Sequence, residues 1–220
     1  MHAANDAGLL TNMGFDVDPD DYHRDNSRAK PSNLFVDTAS VGSKAPEGSG
    51  PPPMIFDYRT PGEALPPGAY PAAGVHLNYG GETIVDYVWD AALGGWARFE
   101  TDERHRGTKR AHVDSDGVQI APPNVVVLVT NYHTSEIDRN SPVAETVGTG
   151  EAMVLIDGAV IPAVWTRNAP TERYTLTTPD GTPVKLNPGR TWVALPSPGQ
   201  VQVPITPEAG AELLASRTPA

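Results

Sequence analysis

The carboxylates best placed for proton transfer flank the densest glycine segment of the chain. Glu145 and Glu151 stand six residues apart on either side of Gly148-Thr149-Gly150. A pair of carboxylates held in different environments can perform acid/base chemistry of the glycosidase type. Strand-edge or turn-capping carboxylates are the commoner case, and that interpretation is favoured here.

The glycine segment itself does not fit a nucleotide-binding loop. Such a loop needs a following helix and a Lys-Ser/Thr pair, whereas the residues after Gly150 read EAMVLIDG, which alternate as a strand. A glycine bulge or sharp bend between two strands is the favoured interpretation. The alternative that stays open is an exposed loop whose backbone N–H groups, beside Glu145 and Glu151, hold a polar ligand.

The histidines offer a second candidate for catalysis. His112 precedes Asp114 by two residues, so on a strand both would share a face as a base and its orienting acid, or as metal ligands. No third ligand lies nearby, so a polar turn is favoured and no metal is expected. His133, at the end of an apolar run, and His76 would complete a site only if folding brings them close.

Arginines supply the candidate binding residues near the N-terminus. Arg24, Ser27, Arg28 and Asn33 fall within the segment RDNSRAKPSN. Guanidinium groups bind carboxylates or phosphates through forked hydrogen bonds. The alternative, favoured here, is that these side chains pair with Asp25 and with backbone carbonyls to pin an irregular loop.

Two further arginines each stand two residues from a tryptophan. Trp165 precedes Arg167, and Arg190 precedes Trp192. An arginine stacked on a tryptophan would brace the edge of the core, and this is the favoured interpretation. The functional alternative is an aromatic platform for a sugar ring or a peptide.

Composition limits the classes of partner. The formal net charge is −11, which opposes binding to nucleic acid and to anionic membrane surfaces. There is no cysteine, which excludes disulfides, thiolate metal sites and a cysteine nucleophile. No motif for a cofactor is present, so none is expected. The first residues lack the basic and apolar regions of a signal peptide, and no apolar run is long enough to span a membrane.

Short strands and tight turns dominate the pattern after Val75. Hairpins are predicted at AALGG, at Asp157-Gly158 and at Asp180-Gly181, and NVVVLVTNYH is typical of a strand buried on both faces. Thr206 followed by Pro207 predicts a C-terminal helix. The fold class is therefore β-dominated α+β, with antiparallel sheets, hairpins, and short helices near the N-terminus and at the C-terminus.

The N-terminal third has a different texture. Short helices are predicted over residues 1–12 and from Asn33 to Ala39, the second capped by Ser32, and residues 44–73 form a Pro/Gly-rich connection. We therefore expect residues 1–73 to be the remnant of an N-terminal sub-domain plus its connection. Residues 74–220 are expected to form the β-rich domain.

The order of several segments resembles a known family. RDNSRAKPSNLF, AHVDSDGVQIAPPNVVVLVTNYH, SPVAETVGTGEAMVLIDGAVIPAVWTR and YTLTTPDGTPVKLNPGRTWVALP follow one another. Together they resemble the YerB-like family of bacterial lipoproteins, a domain family of unknown function. The resemblance covers about Tyr22 to Pro198 and implies an extracytoplasmic location with an N-terminal lipid anchor.

This chain departs from the family pattern in two places. Members carry a longer N-terminal half that includes the anchor cysteine, so we expect a truncated N-terminal half, without signal or anchor, and a membrane contact only through an anchor absent from this chain. The position after Pro31 is often histidine in the family, and here it is Ser32. The family supplies no reaction to carry over.

Three functional hypotheses follow. The first is a non-catalytic binding or accessory protein of the cell envelope, whose partner is an envelope protein or polymer and whose contacts include the arginines and Trp165. The second is an envelope hydrolase or transferase acting on wall sugar or peptide through His112, His133, Glu145 and Glu151. The third is that the chain is half of an assembly. No complete catalytic motif is present, so the first is favoured.

Overall fold

The structure, a computed structural model, describes residues 14–15, 18–28, 30, 33–48, 50–51, 53–80, 84–101, 108–136, 139 and 142–217, with the backbone alone for 201–203. Internal contacts divide the chain into two units, Met1–Pro53 and Met54–Ala220. The helix predicted over residues 1–12 lies outside the described residues. Ser32, the predicted cap of the second helix, also lies outside them. No described helix is long and apolar enough to cross a membrane.

The first unit is built on a small hairpin. Strands β1 (Tyr22–Arg24) and β2 (Leu34–Val36) pair antiparallel, and helix α1 (Thr38–Ser43) follows. The prediction of a helix from Asn33 to Ala39 is wrong over its first half, because bulky residues 34–36 pair as a strand. The side chain of Asp37 accepts hydrogen bonds from the backbone N–H groups of Ala39 and Ser40, so Asp37 is the helix cap.

The second unit consists mainly of two sheets and confirms the predicted β-dominated fold. The six-stranded sheet has the order β13-β12-β11-β8-β14, with β3 beside one end of β12, and the five-stranded sheet has the order β15-β4-β5-β6-β7. β9 and β10 form a separate ribbon. The strands are β3 (Tyr70–Pro71), β4 (Gly74–Asn78), β5 (Ile84–Asp90), β6 (Gly95–Thr101), β7 (Lys109–Ala111), β8 (Asn124–Leu128), β9 (Tyr132–Thr134), β10 (Pro142–Ala144), β11 (Gly148–Ile156), β12 (Ala159–Arg167), β13 (Thr175–Thr177), β14 (Thr191–Ala194) and β15 (Val201–Ile205).

The predicted hairpins are present. β11 and β12 pair over nine residues each and are joined by Asp157 and Gly158, whose φ angles are 51° and 72°. Two successive positive φ angles are those of a type I′ turn, which matches the twist of the strands it joins. β5 and β6 pair so that Trp89 faces Trp96 near their closed end. The strand β8 is buried throughout and pairs with β14 in parallel.

Packing in the second unit produces stacked layers. Val125, Val127 and Leu155 of the six-stranded sheet pack against Val75 and Tyr87 of the five-stranded sheet. Alternate residues of β8, β11 and β12 point the other way, into a second core closed by segments that include Phe56, Val184 and Leu186. Because successive strand residues face opposite sides, β8 contributes to both cores.

A helix covers the outer face of the five-stranded sheet. This helix, α2 (Pro207–Ala215), begins at its predicted cap, where the Thr206 side chain accepts a hydrogen bond from the Ala209 N–H. Leu213 and Leu214 pack with Val88 and Phe99 of the sheet. The helix and the sheet together form the walls of a pocket discussed below.

Candidate functional site

The glycine segment borders an open cleft of about 350 Å³. The cleft lies where the chain leaves β8 and where β11 begins. Its lining is mostly backbone and polar side chains: Val129, Thr130, Asn131, Glu145, Val147, Gly148, Thr149, Gly150, Glu151, Trp165 and Pro198. Three predicted site residues therefore share one cleft.

No side chain fits at Gly150, because the indole of Trp165 and the carbonyl of Val129 lie too close. The segment is therefore not the predicted bulge. Gly148-Thr149-Gly150 opens β11 in regular register with β12, where Gly150 faces Trp165. A Cβ atom on Gly150 would lie 2.6 Å from Nε1 of Trp165 and 2.8 Å from the carbonyl oxygen of Val129. The absence of a side chain lets the indole N–H donate to that carbonyl at 3.0 Å. Trp165 is 3% exposed, so it supports the cleft wall and offers no open ring face.

The ribbon β9–β10 brings His133 to Glu145. Nδ1 of His133 lies 3.5 Å from Oε1 of Glu145, and each side chain is about half exposed. Solvent screens such a pair, so its contribution to stability is small. The backbone of Glu145 is fixed, because its N–H donates to the Asn131 carbonyl and its own carbonyl accepts from the Thr130 hydroxyl. The Glu145 carboxylate, by contrast, is about half exposed and lies beside His133.

Glu151 occupies a rigid position on the same cleft. It pairs with Val164 of β12, and its carbonyl accepts from the Val129 N–H at 2.9 Å. Its side chain is exposed. The two predicted carboxylates therefore both face solvent from one concave surface, and His133 contacts one of them.

His112 does not join this group. Its Nδ1 lies 2.5 Å from the Arg98 guanidinium, and its ring packs edge-on against Trp192 at 5.9 Å between centroids. Burial and the Arg98 charge lower the pKa of His112, while Glu100 acts in the opposite direction. Of the four predicted acid/base residues, the structure brings together His133, Glu145 and Glu151.

Arginine–aromatic braces exist, but with partners other than those expected. The Arg167 guanidinium lies 5.0 Å from the ring centre of Tyr174, not on Trp165, and it donates to two nearby backbone carbonyls. Trp192 is covered by Arg98 at 4.7 Å, not by Arg190. Arg190 is exposed and borders a separate, mainly apolar pocket with Trp192. The cation on Trp192 comes from β6 of the other sheet, and Tyr174 directly precedes β13, the strand beside β12.

The N-terminal arginine group is located in the first unit. Arg24 donates to the side-chain oxygen of Asn33 at 2.8 Å, and Asn33 is buried. Asp25 accepts from the Ser27 hydroxyl and lies 3.5 Å from the Arg28 guanidinium. These contacts are those of a pinned loop, and the anion site formed by these residues stays a prediction.

One cluster was not found from the sequence. His76, considered there only as an extra metal ligand, contacts Asp86 of the next strand, and Asp86 contacts Lys109. The available signal was an acidic residue inside the apolar run IVDYVW, but only the pairing of strands reveals its partners. Among the described residues, no group of three or more potential ligands is arranged to hold a metal ion.

Comparison with known proteins places the chain in a family. Residues 75–193 match the family model described as "Protein of unknown function (DUF3048) C-terminal domain". The chain belongs to the DUF3048 family. The matched range includes the cleft residues Glu145, Glu151 and Trp165 and excludes the first unit.

A solved structure supports the fold. The YerB protein from Bacillus subtilis has the same fold, with a TM-score of 0.62 at 18% sequence identity. The alignment covers 88% of this chain and 63% of that chain, so this chain spans under two thirds of the length of the DUF3048-like structure it matches. None of the curated proteins matches the chain.

Proposed function

We propose that this protein is a binding or accessory module of the bacterial cell envelope, and that it holds its ligand in the cleft beside Gly148-Thr149-Gly150. The observation that carries the proposal is the convergence of Glu145 and Glu151 on one concave, mostly polar surface. Both residues are carried on backbone that is fixed by hydrogen bonds to neighbouring segments.

The charge of the cleft selects the class of ligand. Among the residues that the structure describes, no lysine or arginine lines it, and both carboxylates are exposed. Carboxylates and backbone carbonyls accept hydrogen bonds, so the ligand must supply donors. Ammonium and hydroxyl groups fit this requirement, and the overall charge of −11 attracts cations to the surface. We therefore propose a fragment of a wall polymer that carries free amino groups.

The envelope location rests on the resemblance to the YerB-like lipoproteins, whose members are anchored outside the cytoplasm. A wall polymer is the substance most accessible to a protein held there. An envelope protein presenting lysine side chains is the other partner of the same chemistry, and the measurement below separates the two.

Calorimetric titration tests the proposal directly. Glucosamine oligomers are titrated into the protein at low salt and compared with their N-acetylated forms, which lack the ammonium groups. Replacement of one exposed carboxylate removes an attraction of about 0.2–1 kcal/mol, so Glu145→Gln and Glu151→Gln should each weaken binding roughly 1.4–5-fold. Glu208→Gln, on the exposed first turn of α2, is the matched control and should bind as the unmodified protein does.

Two results would contradict the proposal as stated. Equal loss in all three variants would indicate attraction to net charge alone. The second result is that the amino-bearing oligomers fail to bind while a lysine-rich envelope protein is captured in a manner that requires Glu145 and Glu151. The cleft would then be the binding site of a protein and not of a polymer.

An envelope hydrolase or transferase is the second candidate. It is favoured by one observation: Glu145 and Glu151 line the same cleft, and His133, which is not part of that lining, lies 3.5 Å from Glu145. Release of new reducing ends from wall fragments, abolished in Glu145→Gln and Glu151→Gln while oligomer binding persists, would support an enzyme. Unchanged fragments after prolonged incubation would support the binding module alone.

A further inference from the structure

A second pocket, of about 530 Å³, lies between the five-stranded sheet and helix α2. Its size is within the usual range for small-molecule sites. The polar part of its lining consists of His76, Asp86 and Lys109 from the sheet and Glu212 and Ser216 from the helix end. The apolar part consists of Ile205, Ala209 and Leu213.

Strand pairing assembles the polar part of this pocket. His76 of β4 lies directly opposite Asp86 of β5, so both side chains are on the face turned toward α2. Asp86 in turn faces Phe99 of β6, and Phe99 faces Ala111 of β7. Lys109, two residues before Ala111, shares that face. Three charged or titratable residues thus meet across four strands.

Asp86 is the residue that packing does not explain. Its side chain is 0% exposed, and the neighbouring positions on this face, Val88, Ala97 and Phe99, form an apolar cluster. Burying a carboxylate carries a large desolvation cost, and an apolar residue here would fill the same space. Lys109 Nζ lies 2.5 Å from Oδ2, yet Oδ2 lacks an aligned hydrogen bond among the described residues. A buried carboxylate held between a histidine and a lysine on the lining of a pocket makes that pocket a candidate binding site.

The contact with Asp86 determines which ring nitrogen of His76 carries the hydrogen. Nδ1 of His76 lies 2.6 Å from Oδ1 of Asp86. The carboxylate can only accept, so Nδ1 carries the hydrogen, and Nε2 becomes the ring atom available to a ligand. The His76 side chain is 26% exposed and lines the pocket. In the neutral ring, Nε2 is a hydrogen-bond acceptor held in one orientation.

Charges decide which donor fits. Asp86 and Lys109 neutralise each other, whereas no cation among the described residues pairs with Glu212 on the pocket lining. With Nε2 as an acceptor beside it, the polar end favours a cationic donor over an anion. Ile205, Ala209 and Leu213 offer contact for a short apolar body. We propose that this pocket binds a small primary amine with an apolar chain, its ammonium group donating to Nε2 of His76 and pairing with Glu212.

The test uses n-pentylamine as the probe and pentanoate as its anionic counterpart, both at pH 8. NMR spectra of the full chain are recorded during each titration. The amine should shift the His76 ring and Leu213 methyl signals saturably, and pentanoate should not. Glu212→Gln, at an exposed position, should weaken amine binding roughly 2–5-fold. His76→Gln should weaken it further, and Glu208→Gln is the control.

Several results would overturn this assignment. Equal or larger shifts with pentanoate would show that the pocket takes anions. Amine binding unaffected by Glu212→Gln would remove the proposed ion pair, and this variant remains informative if His76→Gln fails to fold. Shifts confined to Glu145 and Glu151 would assign the amine to the cleft of the proposed function, whose own test with glucosamine oligomers is independent of this pocket.

Discussion

Replacement of Gly150 by alanine tests how the cleft wall is built. The added Cβ would lie 2.6 Å from Nε1 of Trp165, 2.9 Å from its Cε2 and 2.8 Å from the Val129 carbonyl oxygen. Real Cβ atoms do not approach backbone this closely, so either the indole or the strand must shift. A shift of the indole breaks its hydrogen bond to Val129.

The magnitude follows from three terms. Overpacking a core costs about 1–3 kcal/mol, and leaving a buried donor and acceptor without partners costs about 1–3 kcal/mol. Alanine recovers roughly 0.5–1 kcal/mol because it is less flexible than glycine in the unfolded chain. The free energy of unfolding should therefore fall by about 1–5 kcal/mol. With a urea slope of about 2 kcal/mol per molar, the unfolding midpoint should fall by about 0.5–2.5 M.

Urea unfolding followed by tryptophan fluorescence measures this change. Trp165→Phe provides the matched partner, because it removes both indole atoms nearest to the new methyl group. The destabilisation by Gly150→Ala should be smaller by about 1 kcal/mol in the Trp165→Phe background than in the unmodified chain. A midpoint unchanged by Gly150→Ala, or strict additivity of the two changes, would refute the close-approach argument.

Two further predictions concern titrating groups. His112 should titrate below the ordinary histidine pKa, because burial and the Arg98 charge oppose its protonation, and Arg98→Gln should move the NMR midpoint upward; an unchanged midpoint in the variant would remove Arg98 as a cause. Burial alone would raise the pKa of Asp90, but hydrogen bonds from Arg217 and two backbone N–H groups lower it overall. A lowered carboxyl pKa stabilises the fold above the unfolded pKa of about 4, and this contribution is lost as pH falls through the folded pKa. Arg217→Gln should therefore lower the free energy of unfolding by about 1–3 kcal/mol at pH 7 and by less at pH 3.5; an equal loss at both pH values would contradict this.

Local chemistry explains why much of the fold could be predicted. Asp157-Gly158 tolerates two positive φ angles, so the hairpin was visible from two residues. Thr206 and Pro207 marked the start of α2 in the same way. In contrast, the pairing of β14 with β8 in parallel joins segments far apart in sequence, and no local signal reports it.

The errors occur where contacts between segments override the local sequence signal. The prediction of a helix from Asn33 rested on a capping residue. Leu34, Phe35 and Val36 instead favour a strand, because β1 is available as a partner. The prediction of a glycine bulge or sharp bend rested on the usual structural role of glycine within strands. Its true reason, the indole of Trp165 on the adjacent strand, depends on tertiary contact.

The candidate site was only partly accessible from the sequence. Glu145 and Glu151 were identified by type and spacing, and the start of β11 between them determined that they share a cleft. His112 was grouped with them by chemistry alone, whereas the fold packs it against Arg98 and Trp192. His76 and Asp86 meet through strand register, which their separation in sequence does not reveal.

The most direct measurement of the central claim is NMR shift mapping of the protein with glucosamine oligomers. The account predicts that the backbone amides of Thr149, Gly150 and Glu151 and the indole N–H of Trp165 shift most, and that Glu145→Gln with Glu151→Gln suppresses these shifts. Largest shifts at Arg24 and Arg28 in the first unit, or none at the cleft under saturating ligand, would contradict it.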